Sequence, residues 1–461
     1  MEREGGPSRR HVLGTAVLGA AGAVLGAPSA NARAAGPRPN LVVVLADDLG
    51  YGELGCYGQK LIRTPVVDEL ARQGLRFTQA YAAAAVCAPS RCSLLTGLDS
   101  GHARVRQNPR AGLPGGLRAA DTTVAEVLRW AGYRTGLFGK WGFGPDRPDQ
   151  ASHPNAHGFQ EFYGYLTHHA AHDYRPDHLW HDDRRVALHG AYAPDLLRDQ
   201  AVRFARRKSD DPFLLFFSPN LPHAPSTVPS QGRYAHRNWP KADRGHAAQV
   251  TRLDSHIGDL VAAVKDADRP TVVLVTSDNG PHEEGGVNPD RFNANGPLRG
   301  YKRNIYEGGI RVPFVAWSPG LVRRGTSGRL TQHTDLLPTL AELGGAAVPG
   351  GLDGASLAGV LTGRGGAPAP GHRYWYRSET HETRRANATE HGSVTRLAEA
   401  VRRGRWKLVR FAPGERRPAR RSGWRNELYD LTADPGEKRD VASRHPRLVA
   451  ELADLADASW S

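Results

Sequence analysis

The sequence predicts an α/β protein built on a large, mostly parallel sheet flanked by helices. Three observations carry that prediction. Short continuous apolar runs recur along the chain, and each ends in polar or turn residues. Helical patterns lie between those runs, which is the alternation of an α/β core. The 461-residue chain is long enough to bury a full core without disulfides or a structural metal. Its three cysteines exclude a disulfide-rich scaffold, and its 39% apolar and 23% charged residues exclude a mostly disordered chain.

The elements follow in order. Arg9 and Arg10 precede a weakly apolar stretch over residues 12–27, and Ala32-Arg33-Ala34 follows as a small-x-small cleavage site. This is the pattern of a signal peptide over residues 1–34, and its twin arginine resembles a Tat signal. An exported protein is therefore expected, secreted or in a periplasmic or cell-wall space, with the Tat machinery as a partner. No later apolar run reaches the roughly 18 residues a spanning helix needs, so no stable membrane insertion is expected. Strands are predicted at 39–45, 134–138, 213–217, 271–276 and 312–317, with helices at 123–130 and 247–264. The Gly/Pro-rich residues 363–372 read as a linker. Beyond it, strands at 374–376, 406–410 and 427–431 and a helix at 447–455 predict a small α+β unit over 373–461. A net charge of +14 suggests anionic partners. No nucleic-acid-binding motif accompanies it, so a nucleic acid is not expected.

The polar residues are placed informatively. In open α/β sheets, ligands bind beyond the carboxyl ends of the strands. Four of the predicted strands deliver Asp47 and Asp48, Lys140, the 218–223 segment, and Asp278 and Asn279 to that edge. Asp and Asn after a strand often only cap the next helix, but four such sites at one edge weaken that account. Three carboxylates and an amide are hard oxygen donors, which suit Ca2+ or Mg2+.

Cys87-Ala88-Pro89-Ser90-Arg91 is followed by Cys92-Ser93-Leu94-Leu95-Thr96-Gly97. Pro89 cannot sit in a helix interior, so a helix is expected to start near Pro89-Ser90, with Cys87 at its N-terminus. Anionic groups are stabilised there, and Arg91 lies one turn on. Taken alone, the cysteine fits either a thiol nucleophile or a buried small hydrophobe.

Cys-x-Pro-Ser-Arg-x-x-x-Leu-Thr-Gly resembles the signature of the type I, formylglycine-dependent sulfatases, of arylsulfatase-like type. The resemblance covers nearly the whole mature chain. It runs through Asp47-Asp48-Leu49-Gly50-Tyr51-Gly52, Gly139-Lys140-Trp141-Gly142, Pro222-His223-Ala224-Pro225 and Thr276-Ser277-Asp278-Asn279-Gly280. It continues through Leu298-Arg299-Gly300-Tyr301-Lys302, His333-Thr334-Asp335 and Glu427-Leu428-Tyr429-Asp430. It implies an alkaline-phosphatase-like core, with a catalytic domain over 37–362. It also implies that a maturation enzyme oxidises Cys87 to formylglycine, an aldehyde used as nucleophile in its hydrated form. Asp47, Asp48, Cys87, Asp278 and Asn279 would then hold the metal, usually Ca2+. Arg91, Lys140 and Lys302 would screen the sulfate, and His223 would face the leaving oxygen as general acid or hydrogen-bond donor.

One departure stands out. Many sulfatases have a histidine where this chain has Gly142, and that histidine helps regenerate the aldehyde. His172 is a candidate substitute, and Asp47 acting as base is another route. The predicted activity is hydrolysis of aryl or carbohydrate sulfate esters to alcohol and inorganic sulfate. The substrate partner is a sulfated small molecule or glycan. A phosphodiesterase or phosphonate monoester hydrolase of the same superfamily is the alternative within enzymes. A non-catalytic exported carbohydrate-binding protein is the alternative outside them.

Overall fold

The computed structural model describes residues 37–109, 115–265, 267–366, 368–378, 383–390, 397–414, 417–418 and 423–461. The predicted signal peptide lies outside them. In chain order the strands are β1 (Asn40–Ala46), β2 (Leu75–Phe77), β3 (Ala80–Tyr81), β4 (Arg134–Lys140), β5 (Glu161–Tyr165), β6 (His178–His181), β7 (Arg184–Ala187) and β8 (Phe213–Ser218). They continue with β9 (Thr271–Ser277), β10 (Phe314–Trp317), β11 (Gly325–Ser327), β12 (Thr331–Gln332), β13 (Arg373–Arg377), β14 (Leu397–Arg403), β15 (Trp406–Ala412) and β16 (Arg425–Asp430). The helices are α1 (Pro65–Gln73), α2 (Cys87–Thr96), α3 (Val124–Trp130), α4 (Ala193–Arg206), α5 (Lys241–Val264), α6 (Glu307–Ile310), α7 (Leu336–Gly344), α8 (Ala358–Thr362), α9 (Arg384–Thr389) and α10 (Pro446–Ala458).

Ten strands form the main sheet in the order β11-β2-β10-β9-β1-β8-β4-β5-β6-β7. The inner five, from β9 to β5, are parallel, and β10 and β6 turn antiparallel at the flanks. Within β1, Val42 and Val44 pack into a core with Leu197 of α4 and Leu253 and Ile257 of α5. Leu41, Val43 and Leu45 pack on the other face with Leu94 of α2, Leu128 of α3 and Leu340 of α7. Both faces are covered, so the strand is apolar throughout rather than alternating. Helix α3 starts where Thr123 and Glu126 form a reciprocal capping box, which satisfies two free amide donors.

The C-terminal residues form a four-stranded antiparallel sheet, β13-β14-β15-β16. One face packs Trp375, Val409 and Phe411 on Tyr81, Tyr306 and Ile310 of the main body. The other is covered by Leu452, Ala453 and Ala456 of α10. Among the described residues, no helix is long and apolar enough to cross a membrane.

Three expectations shift. Helix α2 begins at Cys87 itself, so Pro89 is its third residue, where a missing N–H costs nothing. The strand expected from 312 begins at Phe314, because Val312 donates its N–H to Ala80 of a different strand. Strand β14 is an addition to the expected set. Its Leu-Ala-Glu-Ala-Val sequence lacks β-branched weight and gave no strand signal.

Candidate active site

The site is built at the carboxyl ends of the parallel strands. Strand β1 ends at Ala46, and Asp47 and Asp48 follow. Asp47 donates its backbone N–H to Leu221, and Asp278 donates its own to Ala46, so the segments after β1, β8 and β9 are knitted together. Asp48 holds a left-handed backbone (φ 69°), an uncommon state that Asp tolerates and that reverses the chain just after the strand. Both aspartates are fully buried.

Cys87, the first residue of α2, meets them. Its Sγ lies 3.4 Å from Asp47 Oδ1 and 3.8 Å from Asp48 Oδ1. Burial and the negative charges of Asp278 and Asp47 push the thiol well above its ordinary range. An unmodified Cys87 is therefore a neutral thiol at physiological pH and a weak nucleophile.

Cations surround this pocket. Lys140 Nζ donates to Asp47 Oδ2 at 2.8 Å. Arg91 grips Asp278 Oδ2 with Nε at 3.0 Å and Nη2 at 2.8 Å, and its Nη1 donates to the Lys140 carbonyl and to Ser218 Oγ. Lys302 Nζ donates to Asp48 Oδ2 at 2.8 Å, to Glu284 Oε2 at 3.1 Å and to His223 Nε2 at 3.0 Å. Burial disfavours both ammonium groups, but Asp47 for Lys140, and Asp48 with Glu284 for Lys302, more than compensate and hold both pKa values above the ordinary lysine range.

His223 has a defined proton. Its Nδ1 lies 2.6 Å from the Ala224 carbonyl, which can only accept, so Nδ1 carries the hydrogen. Its Nε2 faces an ammonium, which can only donate. Burial and Lys302 lower its pKa, so the ring is neutral and Lys302 is the proton-bearing member of the pair. The imidazole of His172 stacks on His223 at 4.5 Å between centroids and 11° between planes. Burial, then His223 and Lys140, push His172 down to about 3, so it too is neutral. Its Nε2 is buried without a hydrogen-bond partner.

Gly142 lies beside Arg91 and Lys140. A Cβ there would meet Arg91 Cδ at 3.7 Å and Lys140 Cε at 3.8 Å, ordinary contacts, although its φ of +91° disfavours a side chain.

The acidic residues fit a divalent cation. Asp47, Asp48 and Asp278 converge and are all fully buried. Burial raises Asp47 and Asp48, yet the surrounding cations hold both below the ordinary range. Burial and repulsion from Asp47 push Asp278 up to about 7, so the three carboxylates cannot all ionise easily on the protein's own cations. Asn279 donates Nδ2 to Asp48 Oδ1 at 2.7 Å, while its Oδ1 is buried with no partner. An orphaned amide oxygen beside three carboxylates is a donor set for Ca2+ or Mg2+. A second acidic group, Asp48, His282 and Glu284, lies alongside. There Lys302 already supplies the positive charge.

The site thus brings together Asp47, Asp48, Cys87, Arg91, Lys140, His172, His223, Asp278, Asn279 and Lys302. Sequence reasoning missed Glu284, which holds Lys302 and pairs with Arg303 at Oε1, and His282, whose ring lies 5.8 Å from that of His223. Both follow Asp278-Asn279-Gly280 within four residues, and that proximity was the available signal. Among the described residues Cys56 and Cys92 are free, and burial pushes each thiol up to about 12.

Residues 39–346 match the family model for sulfatases, and residues 300–455 match the model for the N-sulphoglucosamine sulphohydrolase C-terminal region. The chain is 33% identical to human arylsulfatase A (Homo sapiens), over 95% of this chain and 90% of that protein. It is 30% identical to N-acetylgalactosamine-6-sulfatase of Canis lupus familiaris, over 90% and 84%. The solved structure of Ps i-CgsB in complex with k-i-k-neocarrahexaose superposes with a TM-score of 0.76 at 28% identity, covering 92% of this chain and 93% of that one.

Proposed function

Because the chain belongs to the sulfatase family, we propose that this sulfuric ester hydrolase cleaves aryl or carbohydrate sulfates through Cys87 matured to formylglycine beside a divalent cation. The observation that supports this reading is the convergence of three carboxylates, three cations and two neutral imidazoles on one buried thiol at a helix N-terminus. Formylglycine at position 87 would supply an oxygen nucleophile in place of a thiol that burial keeps protonated. Ca2+, or Mg2+, held by Asp47, Asp48, Asp278, Asn279 and residue 87 would supply Lewis acidity toward a sulfate oxygen.

The remaining work falls to the chain's own side chains. Arg91, Lys140 and the amide dipoles at the start of α2 offset the anionic charge of the ester. The Lys302–His223 pair serves the leaving oxygen. The donor role expected of His223 passes to Lys302 in this reading: Lys302 Nζ bears the proton, and His223, with Nδ1 bonded to Ala224 and Nε2 facing Lys302, orients it. His172 is assigned the role left vacant at Gly142, because its ring stacks on His223 and its buried Nε2 has no hydrogen-bond partner. Burial of the cluster excludes water from these charges, which strengthens them.

Residues 37–362 make up the catalytic domain in this reading, 363–372 a linker and 373–461 the small C-terminal unit. A formylglycine-generating enzyme acts on Cys87, and the Tat pathway exports the folded product. The experiment compares para-nitrophenyl sulfate with para-nitrophenyl phosphate, using protein made beside the maturation enzyme. The sulfate ester is expected to be preferred by about 100-fold or more in kcat/KM, with turnover abolished in Cys87→Ala. Preference for the phosphate would overturn the reading in favour of a phosphoester or phosphonate hydrolase, and hydrolysis of neither would favour a binding protein.

A further inference from the structure

A cleft of about 470 Å³ lies beyond the carboxyl end of β5, with Gly164, Tyr165 and Leu166 in its lining. That volume falls in the roughly 300–1,000 Å³ range of small-molecule sites. Strand β5 pairs with β4 so that Tyr165 stands opposite Lys140, which places the cleft at the same sheet edge as the reacting centre. His172 lines it, and this is the residue whose ring stacks on His223 and whose buried Nε2 has no partner. One side chain therefore belongs both to the cleft and to the group that faces the leaving oxygen.

The charge of this cleft opposes that of the chain. The protein carries a net +14, yet the lining contains Asp146, Asp173 and Asp177 and no lysine or arginine. Of the arginines near these residues in sequence, Arg147 and Arg175 are engaged outside the lining, and Arg185 pairs with Asp146 itself. Arg175 donates to the Gly190 carbonyl and lies over the Tyr192 ring, while Arg185 lies over Trp180, 3.8 Å from Asp146. Asp173 and Asp177 are exposed to solvent, and Asp173 Oδ1 accepts the Arg175 N–H at 2.8 Å. His169 and His178 add imidazoles, and Tyr165 and Trp180 add aromatic surface.

We infer that this cleft receives the alcohol side of the sulfate ester and selects an uncharged or amine-bearing leaving group against one carrying further anionic groups. The inference rests on the functional reading above. Carboxylates accept hydrogen bonds from hydroxyl and ammonium groups. A second sulfate or a carboxylate on the leaving group would instead stand against the like charges of Asp173 and Asp177, Asp146 being taken up by Arg185 and Trp180, and that costs binding and rate. The overall basic charge of the chain thus steers the sulfate end, and the cleft sorts the other end.

The test uses the full mature enzyme and three aryl sulfates of similar size: para-acetamidophenyl sulfate, para-aminomethylphenyl sulfate and para-carboxyphenyl sulfate. The neutral and cationic esters are expected to exceed the carboxylated one in kcat/KM by about fivefold or more at low salt. In Asp173→Asn/Asp177→Asn that ratio is expected to narrow toward one. Equal handling of all three by the wild-type enzyme, or a preference for the carboxylated ester, would overturn the inference. So would a ratio left unchanged in the double variant. Turnover of the neutral ester reports separately on the sulfatase reading, and hydrolysis of none of the three would overturn both.

Discussion

Two buried lysines use the same device for different ends. Lys302 is held by Asp48 and Glu284, and Lys407 by Glu307 Oε1 at 3.0 Å and Glu437 Oε1 at 2.9 Å. Lys302 also touches His223 Nε2 and shares Asp48 with Asn279, at the carboxyl ends of the parallel strands. Lys407 sits where the C-terminal sheet meets the main body. There Tyr81 donates to Glu307 Oε2 at 2.5 Å, and the Glu307 amide donates to Glu437 Oε2 at 2.6 Å. The difference teaches that a buried ion pair is not in itself a functional sign. In the proposed function the Lys302 pair adjoins a neutral imidazole that can share its proton, whereas the Lys407 pair adjoins only further members of its own acidic array.

The comparison can be broken most sharply by replacing each lysine. Lys302→Met is expected to lower kcat/KM for an aryl sulfate by about 10²–10³-fold. A loss under tenfold would remove Lys302 from the chemistry. Lys407→Met leaves Glu307 and Glu437 facing each other and is expected to destabilise the fold by about 3–5 kcal/mol. Denaturant titration reads that cost, while kcat per folded molecule should stay within about twofold. A variant with native stability and poor kcat would reverse the assignment of the two lysines.

Cation removal sharpens the contrast next. A chelator is expected to lower the melting temperature, and Ca2+ at about 100 times its Kd should restore roughly 2.7 kcal/mol. Asp278→Asn should blunt that response, whereas Glu437→Gln should retain it. An equal response in all three proteins would place the cation away from Asp278.

The smallest effect is a pH dependence at the structural pair. Burial, with repulsion from Glu307, raises Glu437 to about 7 against an ordinary 4.5. Between those values the unfolded chain releases its proton while the folded chain keeps it. The group's contribution to stability therefore falls as pH rises from 4.5 to about 7, then levels. Glu307 runs the other way. Burial opposes its ionisation, but Lys407, Arg402 and Arg311 lower it to about 2. Its stabilisation is present above 4.5 and is lost as pH falls toward 2. Glu437→Gln should flatten the upper limb of a melting-temperature profile and leave the lower one. An unchanged upper limb would assign that titration elsewhere.

Much of the fold was legible because β1, β8 and β9 are buried on both faces and read as unbroken apolar runs. Strands β6 and β7 were not, because an edge hairpin such as His178–His181 and Arg184–Ala187 carries polar residues on its solvent side. In the site, Asp47, Asp48 and Asp278 were legible because each follows a recognisable strand, and Lys140 because it ends one. Cys87, Arg91 and Lys302 were legible only through family resemblance, since a lone cysteine or lysine has no local signature. Glu284 was hidden because it opens a short 3-10 turn with no sequence pattern of its own and acts through Lys302, a contact across 18 positions that only the folded chain makes. The Lys407 array was hidden for the same reason, with Glu307 100 positions away.

The most direct test of the account is mass spectrometry of the tryptic peptide spanning residues 77–91, taken from catalytically active protein and repeated after treatment with a hydrazine. The account predicts an aldehyde in place of the Cys87 thiol, carried over into a hydrazone. An active enzyme whose Cys87 is an unmodified thiol would contradict it.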